Sequence, residues 1–436
     1  MDIILNPVLV SVVVMIVLCL IRVNVYLSII LSGLLCALLG GLSLPEGMTL
    51  FISGMGNNAE TVFSLLLFGI LAVSMTKTGV GEVLAPRVTK LIGNRVWVLV
   101  IALGIIAIIT ETFVLVYVAF VPIMIPPLLK VFNKYKVDRR MLVTVIVSGF
   151  QIGYVCVPAG YGLIFQGIVQ NDLATNGLEV SQNQIIQSNL VLALAMIISA
   201  AIAIFVYRKP REYEDRSAAV ALASEDGELP KIEWKHIAVI LSGLVAVVVQ
   251  SATESMALGA LSAVAAVLIT GAIKWKDFDT VTMEGIASMS LVCFVLLVAG
   301  GFATVSREVG QLDVLVASLV TLIGGNKLLG AFVMLCLGLL VTMGIGSAWG
   351  TIPIIATVLV PMGLQLGFST SSIIMLVSAA ACLGDAGSPS SDQTLVPTAG
   401  FNVDGQHDHI RDTCIPTFLC INIPLILVAT VSALFL

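Results

Sequence analysis

The chain has 436 residues, 58% of them hydrophobic and 11% charged, with a mean hydropathy of +1.10. Soluble domains carry roughly 25% charged residues, so this composition excludes a soluble protein and requires many membrane spans. The net charge of −5, with no basic face, excludes nucleic acid as a partner.

In chain order, apolar runs at 7–21, 25–42 and 60–76 read as three spans. The first lacks the basic start and small-residue cleavage site of a signal peptide and reads as a retained span. Asn57, Asn58 and Glu60 are expected to open the third helix on the outer side. Residues 96–109 and 113–129 then flank the polar stretch Thr110-Glu111-Thr112. Residues 141–153 are followed by "GYVCVPAGYG" and by 163–169, and 188–207 is a further span. A mixed-charge segment at 208–235 reads as a cytoplasmic linker. Beyond it, 237–252, 256–273 and 286–304 are spans. Residues 327–341 and 352–362 flank "TMGIGSAWGT", 373–383 and 395–401 flank "GDAGSPSSDQ", and 414–435 is the last span. The eight cysteines sit in or beside apolar runs without a CxxC pair, which suits packing rather than disulfides or zinc.

An offset of 231 residues brings the second half onto the first. Gly40, Gly54, Gly69, Gly79, Gly93 and Gly153 then fall on Gly271, Gly285, Gly300, Gly310, Gly324 and Gly384, while Pro122 meets Pro353 and Pro158 meets Pro389. Backbone-shaping residues are the ones a repeated fold keeps. The basic loop with Lys130, Lys134, Lys136, Arg139 and Arg140 belongs in the cytoplasm, whereas the stretch Asn171 to Gln187, without Lys or Arg, belongs outside. These sides agree only if 96–129 and 327–362 each enter and leave on one face, as re-entrant hairpins of opposite sense. Arms of about 14 residues make ~21 Å of helix, short of a ~30 Å core.

The expected fold is an all-α polytopic membrane protein with two inverted-topology repeats, re-entrant hairpins and discontinuous helices. The repeats are residues 1–207 and 236–436, joined by the linker 208–235.

Such carriers bind ligands near the midplane, between hairpin tips and unwound helices. The candidate substrate and ion ligands are therefore the polar groups at the breaks. They comprise Thr110, Glu111 and Thr112 at the first tip, with Gln151 and Tyr154 before the first helix break. The second tip offers Gly344, Gly346, Ser347, Trp349 and Thr351, and the second break Asp385, Ser388, Ser390, Ser391 and Asp392. Carboxylates and hydroxyls suit a transported Na⁺ or proton, and aromatic and amide groups suit an organic substrate. No catalytic residue, cofactor or resident metal is expected. His407 and His409 in "DGQHDHIRD" are read as a loop rather than a metal site.

Together with "RVNVYLSIILSG", the segments "GSAWGTIP" and "LGDAGSPSSDQT" resemble the Na⁺/H⁺ antiporter family of the ion transporter superfamily, within its YuiF-like branch and distantly NhaC-like. The resemblance implies a multi-pass protein of a bacterial cytoplasmic membrane, a homodimer with scaffold and transport domains, moving in an elevator-like manner. It implies carriage of a small amino acid such as histidine, coupled to Na⁺ or H⁺. Cation/proton exchange without an organic substrate is the alternative. The superfamily's Ser-Asn-Thr tip departs here to "GSAWGT", without Asn, and Glu111 occupies the first tip. That departure argues against a dicarboxylate.

Other classes fit less well. A channel lines one continuous pore with rings of like groups, whereas the polar groups here gather at paired breaks. Intramembrane proteolysis would need an HExxH helix, a His near a serine nucleophile or a GxGD motif with its partner Asp, and an ATP-driven pump a Walker loop. The chain contains none of these.

Overall fold

A computed structural model describes residues 6–21, 23–80, 83, 96–114, 125, 128–129, 132–214, 231–253, 255–309, 311–389 and 391–436. Among the described residues every regular element is helical. The first half contains α1 (Pro7–Leu20), α2 (Val25–Leu39), α3 (Leu44–Met55), α4 (Ala59–Thr78), α5 (Val96–Ile109), α6 (Arg139–Cys156), α7 (Tyr161–Thr175) and α8 (Gln182–Val206). The second contains α9 (Trp234–Thr253), α10 (Met256–Thr270), α11 (Trp275–Glu308), α12 (Leu312–Ile323), α13 (Lys327–Ile345), α14 (Ala348–Gln365), α15 (Thr370–Cys382), α16 (Asp392–Phe401) and α17 (His409–Ser432). The chain is a multi-pass membrane protein.

The repeat is visible in where helices begin. The starts of α2, α3, α5, α6 and α7 recur in α10, α11, α13, α15 and α16, each 231 residues later. The cap positions recur with different chemistry: Asn24 and Asp138 hold the first backbone amides of their helices, and Ser255 and Ser369 do so at the equivalent places. Such caps contribute about 1 kcal/mol each.

Packing shows that the copies are inverted. A Cβ on Gly54 would come within 2.8 Å of the Gly300 carbonyl, and one on Gly69 within 2.5 Å of the Gly285 carbonyl. Gly54 and Gly69 are the equivalents of Gly285 and Gly300, so the two contacts are one contact seen from both copies, as a two-fold relation demands. Cys293 Sγ lies 3.8 Å from the Val62 carbonyl, its own equivalent. The equivalent helices therefore cross antiparallel, which turns one repeat over relative to the other. Only glycine permits backbones to approach this closely.

Two expectations change in the structure. The third span does not begin at Asn57; one helical run covers Leu44–Thr78, 35 residues, and its counterpart α11 begins at Trp275 rather than 286. A capping box of Ser43 and Glu46 with Pro45 in the first turn starts the run, within a stretch too polar to register as apolar. Asn57 and Asn58 bind α11 instead, donating to Thr304 Oγ1 at 3.1 Å and to the Leu296 carbonyl at 2.9 Å. At 1.5 Å per residue such a run exceeds a ~30 Å core and must tilt.

The second hairpin's arms are also longer than expected, 19 residues in α13 and 18 in α14. Length alone therefore no longer separates a hairpin from two spans. Position does. Gln151 Nε2 donates to the Cys382 carbonyl at 3.0 Å and Tyr154 Oη to Asp385 Oδ2 at 3.0 Å, both pairs 231 apart. Residues that touch their own equivalents lie on the axis relating the copies, and for inverted repeats that axis lies in the membrane plane. The turn Gly346-Ser347 precedes Ala348, whose amide binds Asp385, so the hairpin reverses at mid-depth.

The expected helix breaks occur. α6 and α7 bend by 54° across 157–160, where Pro158 removes a donor and Gly160 takes φ +56°. The second break runs from Leu383 to Ser391, with Gly384 at φ +90° and Gly387 at φ +99°. Most of the first hairpin's return arm and most of the linker lie outside the described residues.

Candidate functional site

Asp385 stands where the two broken helices cross and is 3% exposed. One carboxylate oxygen accepts from the Ala348 amide at 3.1 Å and from Ser391 Oγ at 3.3 Å. The other accepts from Tyr154 Oη. The donors come from the second tip, the second break and the first broken helix, so one side chain gathers three elements. Ala348 is the first residue of α14, whose N-terminal end carries partial positive charge.

An aromatic box adjoins this carboxylate. The Trp349 ring lies 5.8 Å from Tyr154, 5.9 Å from Tyr161 and 6.2 Å from Phe165. Trp349 thus packs against the first break.

Glu111 forms the second acidic centre. It is fully buried, and its Oε1 accepts from Gln393 Nε2 at 2.9 Å. Among the described residues, its Oε2, Gln393 Oε1 and Gln151 Oε1 have no hydrogen-bond partner, although buried oxygens are nearly always satisfied. Gly153 permits the carboxylate's stem to sit there, since a Cβ at 153 would come within 2.8 Å of the Glu111 Cβ. The second repeat makes the same contact between Gly384 and Thr342. Thr342 Oγ1 bonds the carbonyls of Gly338 and Ala380 at 2.8 and 3.1 Å. The repeats therefore share one framework and differ in chemistry. Thr110-Glu111-Thr112 does not form the expected tip: a π-helical turn, Thr110–Val114, continues α5, and Thr342 likewise stands in the last turn of α13 before Gly346. The first repeat therefore carries an acid in the hairpin's entering helix and a phenol before the break; the second carries a hydroxyl in that helix and an acid at the break.

The remaining candidates divide. Thr110, Thr112 and Thr351 donate to carbonyls one turn back in their own helices. Gly344 packs against α1, its would-be Cβ 3.4 Å from that of Cys19, and Gly346 supplies the turn with φ +75°. Ser347 precedes α14 without capping it. Ser388 donates to the Met343 carbonyl and ties the second break to the tip. Asp392 begins α16 on an exposed face. Ser390 lies outside the described residues. Sequence reasoning missed Phe165 and Thr342. The latter was reachable, because it stands 231 residues after Glu111, the separation that also relates Tyr154 to Asp385.

A separate polar network closes the end where the linker packs. Arg139, fully buried, binds Asp404 with both terminal nitrogens, at 2.7 and 2.5 Å, and the Phe401 carbonyl at 2.7 Å, under the ring of Tyr213. Burial pushes the Asp404 carboxyl up, but the paired guanidinium and the Gln406 amides outweigh it and leave the group below its ordinary range. His407 Nε2 bonds Thr413, Thr413 bonds Thr398, Thr398 bonds His409 Nδ1, each at 2.8 Å, and His409 Nε2 bonds the Pro389 carbonyl at 3.0 Å. Burial, aided by Arg139 and Arg211 and opposed by Asp412, lowers the His407 imidazole to about 4.

Comparison with known proteins places this arrangement. The sequence profile of the Na⁺/H⁺ antiporter family matches residues 154–430, and a second Na⁺-H⁺ antiporter family profile matches 6–92. The chain belongs to the Na⁺/H⁺ antiporter family. It is 39% identical to the Bacillus subtilis protein named "Putative amino acid transporter YuiF", over 91% of this chain and 92% of that one. It is 41% identical to a membrane protein of Vibrio parahaemolyticus, over 99% of this chain and all of the other. In fold it is similar to Neisseria gonorrhoeae MtrF, described within a class of antimetabolite efflux pumps (TM-score 0.58, 14% identity, 88% of this chain and 83% of that one). It is also similar to the Alcanivorax borkumensis YdaH transporter, described as having an unusual topology (TM-score 0.55, 16% identity, 89% and 88% of the two chains). The Na⁺/H⁺ antiporter family chain is thus a membrane transporter on an inverted-repeat, broken-helix framework.

Proposed function

We propose that the protein is a secondary active transporter of a small amino acid, such as histidine, coupled to Na⁺ or H⁺ and working by alternating access. The observation that carries this reading is Asp385 beside the Trp349–Tyr154–Tyr161 box. A carboxylate with about four acceptor sites and three protein donors retains room for one more, and an ammonium group fills it. Aromatic faces nearby favour a cation or a flat side chain. Glu111, with one carboxylate oxygen that accepts nothing among the described residues, is the coupling group for Na⁺ or a proton. The relative named as an amino acid transporter supports the same cargo.

In this reading the repeats 1–207 and 236–436 together build a scaffold and a transport domain that moves in an elevator-like manner, the linker 208–235 faces the cytoplasm, and two copies pair in a bacterial cytoplasmic membrane. The alternative is Na⁺/H⁺ exchange with no organic substrate. Proteoliposomes given radiolabelled amino acids under imposed Na⁺ and pH gradients separate the two. Gradient-driven accumulation of an amino acid, lost in Asp385→Asn and Glu111→Gln, is expected. Cation exchange with no uptake of any amino acid defeats the cargo assignment, and normal uptake by both variants removes the two residues from the mechanism.

A further inference from the structure

Away from Asp385, the molecule holds a second cavity, of ≈ 620 Å³, between α4, α7, the start of α8 and the α9–α10 turn. That volume lies within the range of small-molecule sites. Its polar lining includes Glu60, Gln170, Asn171, Gln182, Asn183 and Gln250, and no Lys, Arg or His borders it among the described residues. The opposite cavity, of ≈ 430 Å³, is lined by Lys77, Lys235, His236 and Lys274 together with Glu233 and Asp277. The two mouths thus differ in charge. Gln250 stands in the first cavity's wall, is 7% exposed, and its Oε1 accepts no hydrogen bond from the described residues. A buried acceptor left unsatisfied keeps its desolvation penalty, which a ligand donor relieves. Among the described residues, Glu60 accepts a long contact from Ser255 Oγ, 3.4 Å, and no other side-chain hydrogen bond, which leaves its carboxylate available. Pro158 forms part of the wall, joining this space to the first helix break four residues after Tyr154.

We propose that this vestibule is a second, outer binding site for a primary ammonium group, with Glu60 supplying the charge and Gln250 the neutral acceptor. It rests on the carrier reading only for its use, as the place where an amine is gathered before reaching Asp385. Anions are disfavoured there.

The test needs no transport. Asn183→Cys, in right-side-out vesicles, is labelled with a positively and a negatively charged methanethiosulfonate reagent, with the parent chain setting the background from native cysteines. Glu60 lines the same cavity as Asn183, and one carboxylate roughly 10 Å away in wet surroundings changes each rate about twofold in opposite directions, so Glu60→Gln should reduce the cation-to-anion ratio about fourfold. Millimolar ethylammonium should slow labelling while acetate does not, and Gln250→Leu should remove that protection. Absence of labelling, a ratio indifferent to Glu60, or equal protection by acetate overturns the site. Because labelling is independent of turnover, a carrier that moves no amino acid leaves this test intact, and a failed vestibule leaves the Asp385 uptake assay standing.

Discussion

Arg139→Met should destabilise the folded protein by about 3–5 kcal/mol, the loss found when one partner of a buried ion pair is removed. The structure supports the upper part of that range. Arg139 is fully buried and Asp404 is 3% exposed, the pair is bidentate, and the guanidinium also satisfies the Phe401 carbonyl and stacks 4.2 Å from the Tyr213 ring centre. Truncation leaves a carboxylate and a carbonyl without these donors. The double variant Arg139→Met/Asp404→Leu should recover most of the loss, because the cost lies chiefly in a stranded charge rather than in a missing attraction. Membrane proteins seldom unfold reversibly in detergent, so the fitting measurement is the half-life of the monodisperse peak in size-exclusion chromatography at fixed temperature. The single variant should lose it far sooner than wild type, with the double variant close behind wild type. If the double variant decays as fast as Arg139→Met, the stranded-charge argument is wrong. If the single variant equals wild type, the pair holds nothing. The same pair predicts a pH course. A carboxyl held below its unfolded value stabilises fully above about pH 4 and loses that contribution as pH falls through the folded value, so the gap between wild type and Asp404→Asn should close only in acid.

Three further outcomes follow from other contacts. Tyr154→Phe keeps the ring against Trp349 and removes one charge-assisted hydrogen bond to Asp385, so apparent substrate affinity should fall about tenfold to hundredfold in uptake assays; unchanged uptake would detach Asp385 from binding. Gly69→Val should abolish folded yield on fluorescence-detected chromatography, because its Cβ would press on the Gly285 carbonyl, whereas Gly56→Ala, with nothing within 4 Å, should be neutral or slightly stabilising. Since His407 is lowered to about 4, its neutral form stabilises above about pH 6.5 and that contribution drains away as pH falls toward 4; thermal half-lives should drop across that window in wild type and less steeply in His407→Gln.

Much of this architecture was readable from sequence because membrane chemistry narrows the choices. Lipid admits few polar interruptions, so Glu111 and "GDAGSPSSDQ" stood out at once, and the glycine register gave the repeat offset that the helix starts and the Gly54–Gly300 contact now repeat. What escaped was the extent of helices whose ends are polar. Ser43 to Glu46 is a helix start by its side-chain chemistry, yet hydropathy passes over it, and the same blindness shortened α13 before Gly346. Pairings between distant segments escaped for another reason. That Gln393 would reach Glu111, 282 residues earlier, depends on how the halves interlock, and no local pattern encodes it. Arg139 with Asp404 is a similar case, since both read as solvated loop charges until burial removes the water.

The two acidic centres belong to different repeats, yet they are tied to one turn of helix. Ser391 donates to Asp385 and Gln393 donates to Glu111, and the two donors are neighbours at the start of α16, Ser391 capping it through the Gln393 amide. In the proposed reading, a ligand that takes the place of the Ser391 hydroxyl on Asp385 loosens the hold on the side chain that caps the first turn of α16. The only protein hydrogen bond to Glu111 among the described residues leaves from that same turn. An exactly repeated sequence would have given two like sites with no division of labour. Here Thr342 stands where the first repeat has Glu111, and Tyr154 where the second has Asp385, which leaves one of these two acidic groups in each repeat. One helix turn therefore bears on both acidic groups, which is the physical condition for the occupancy of one to alter the affinity of the other.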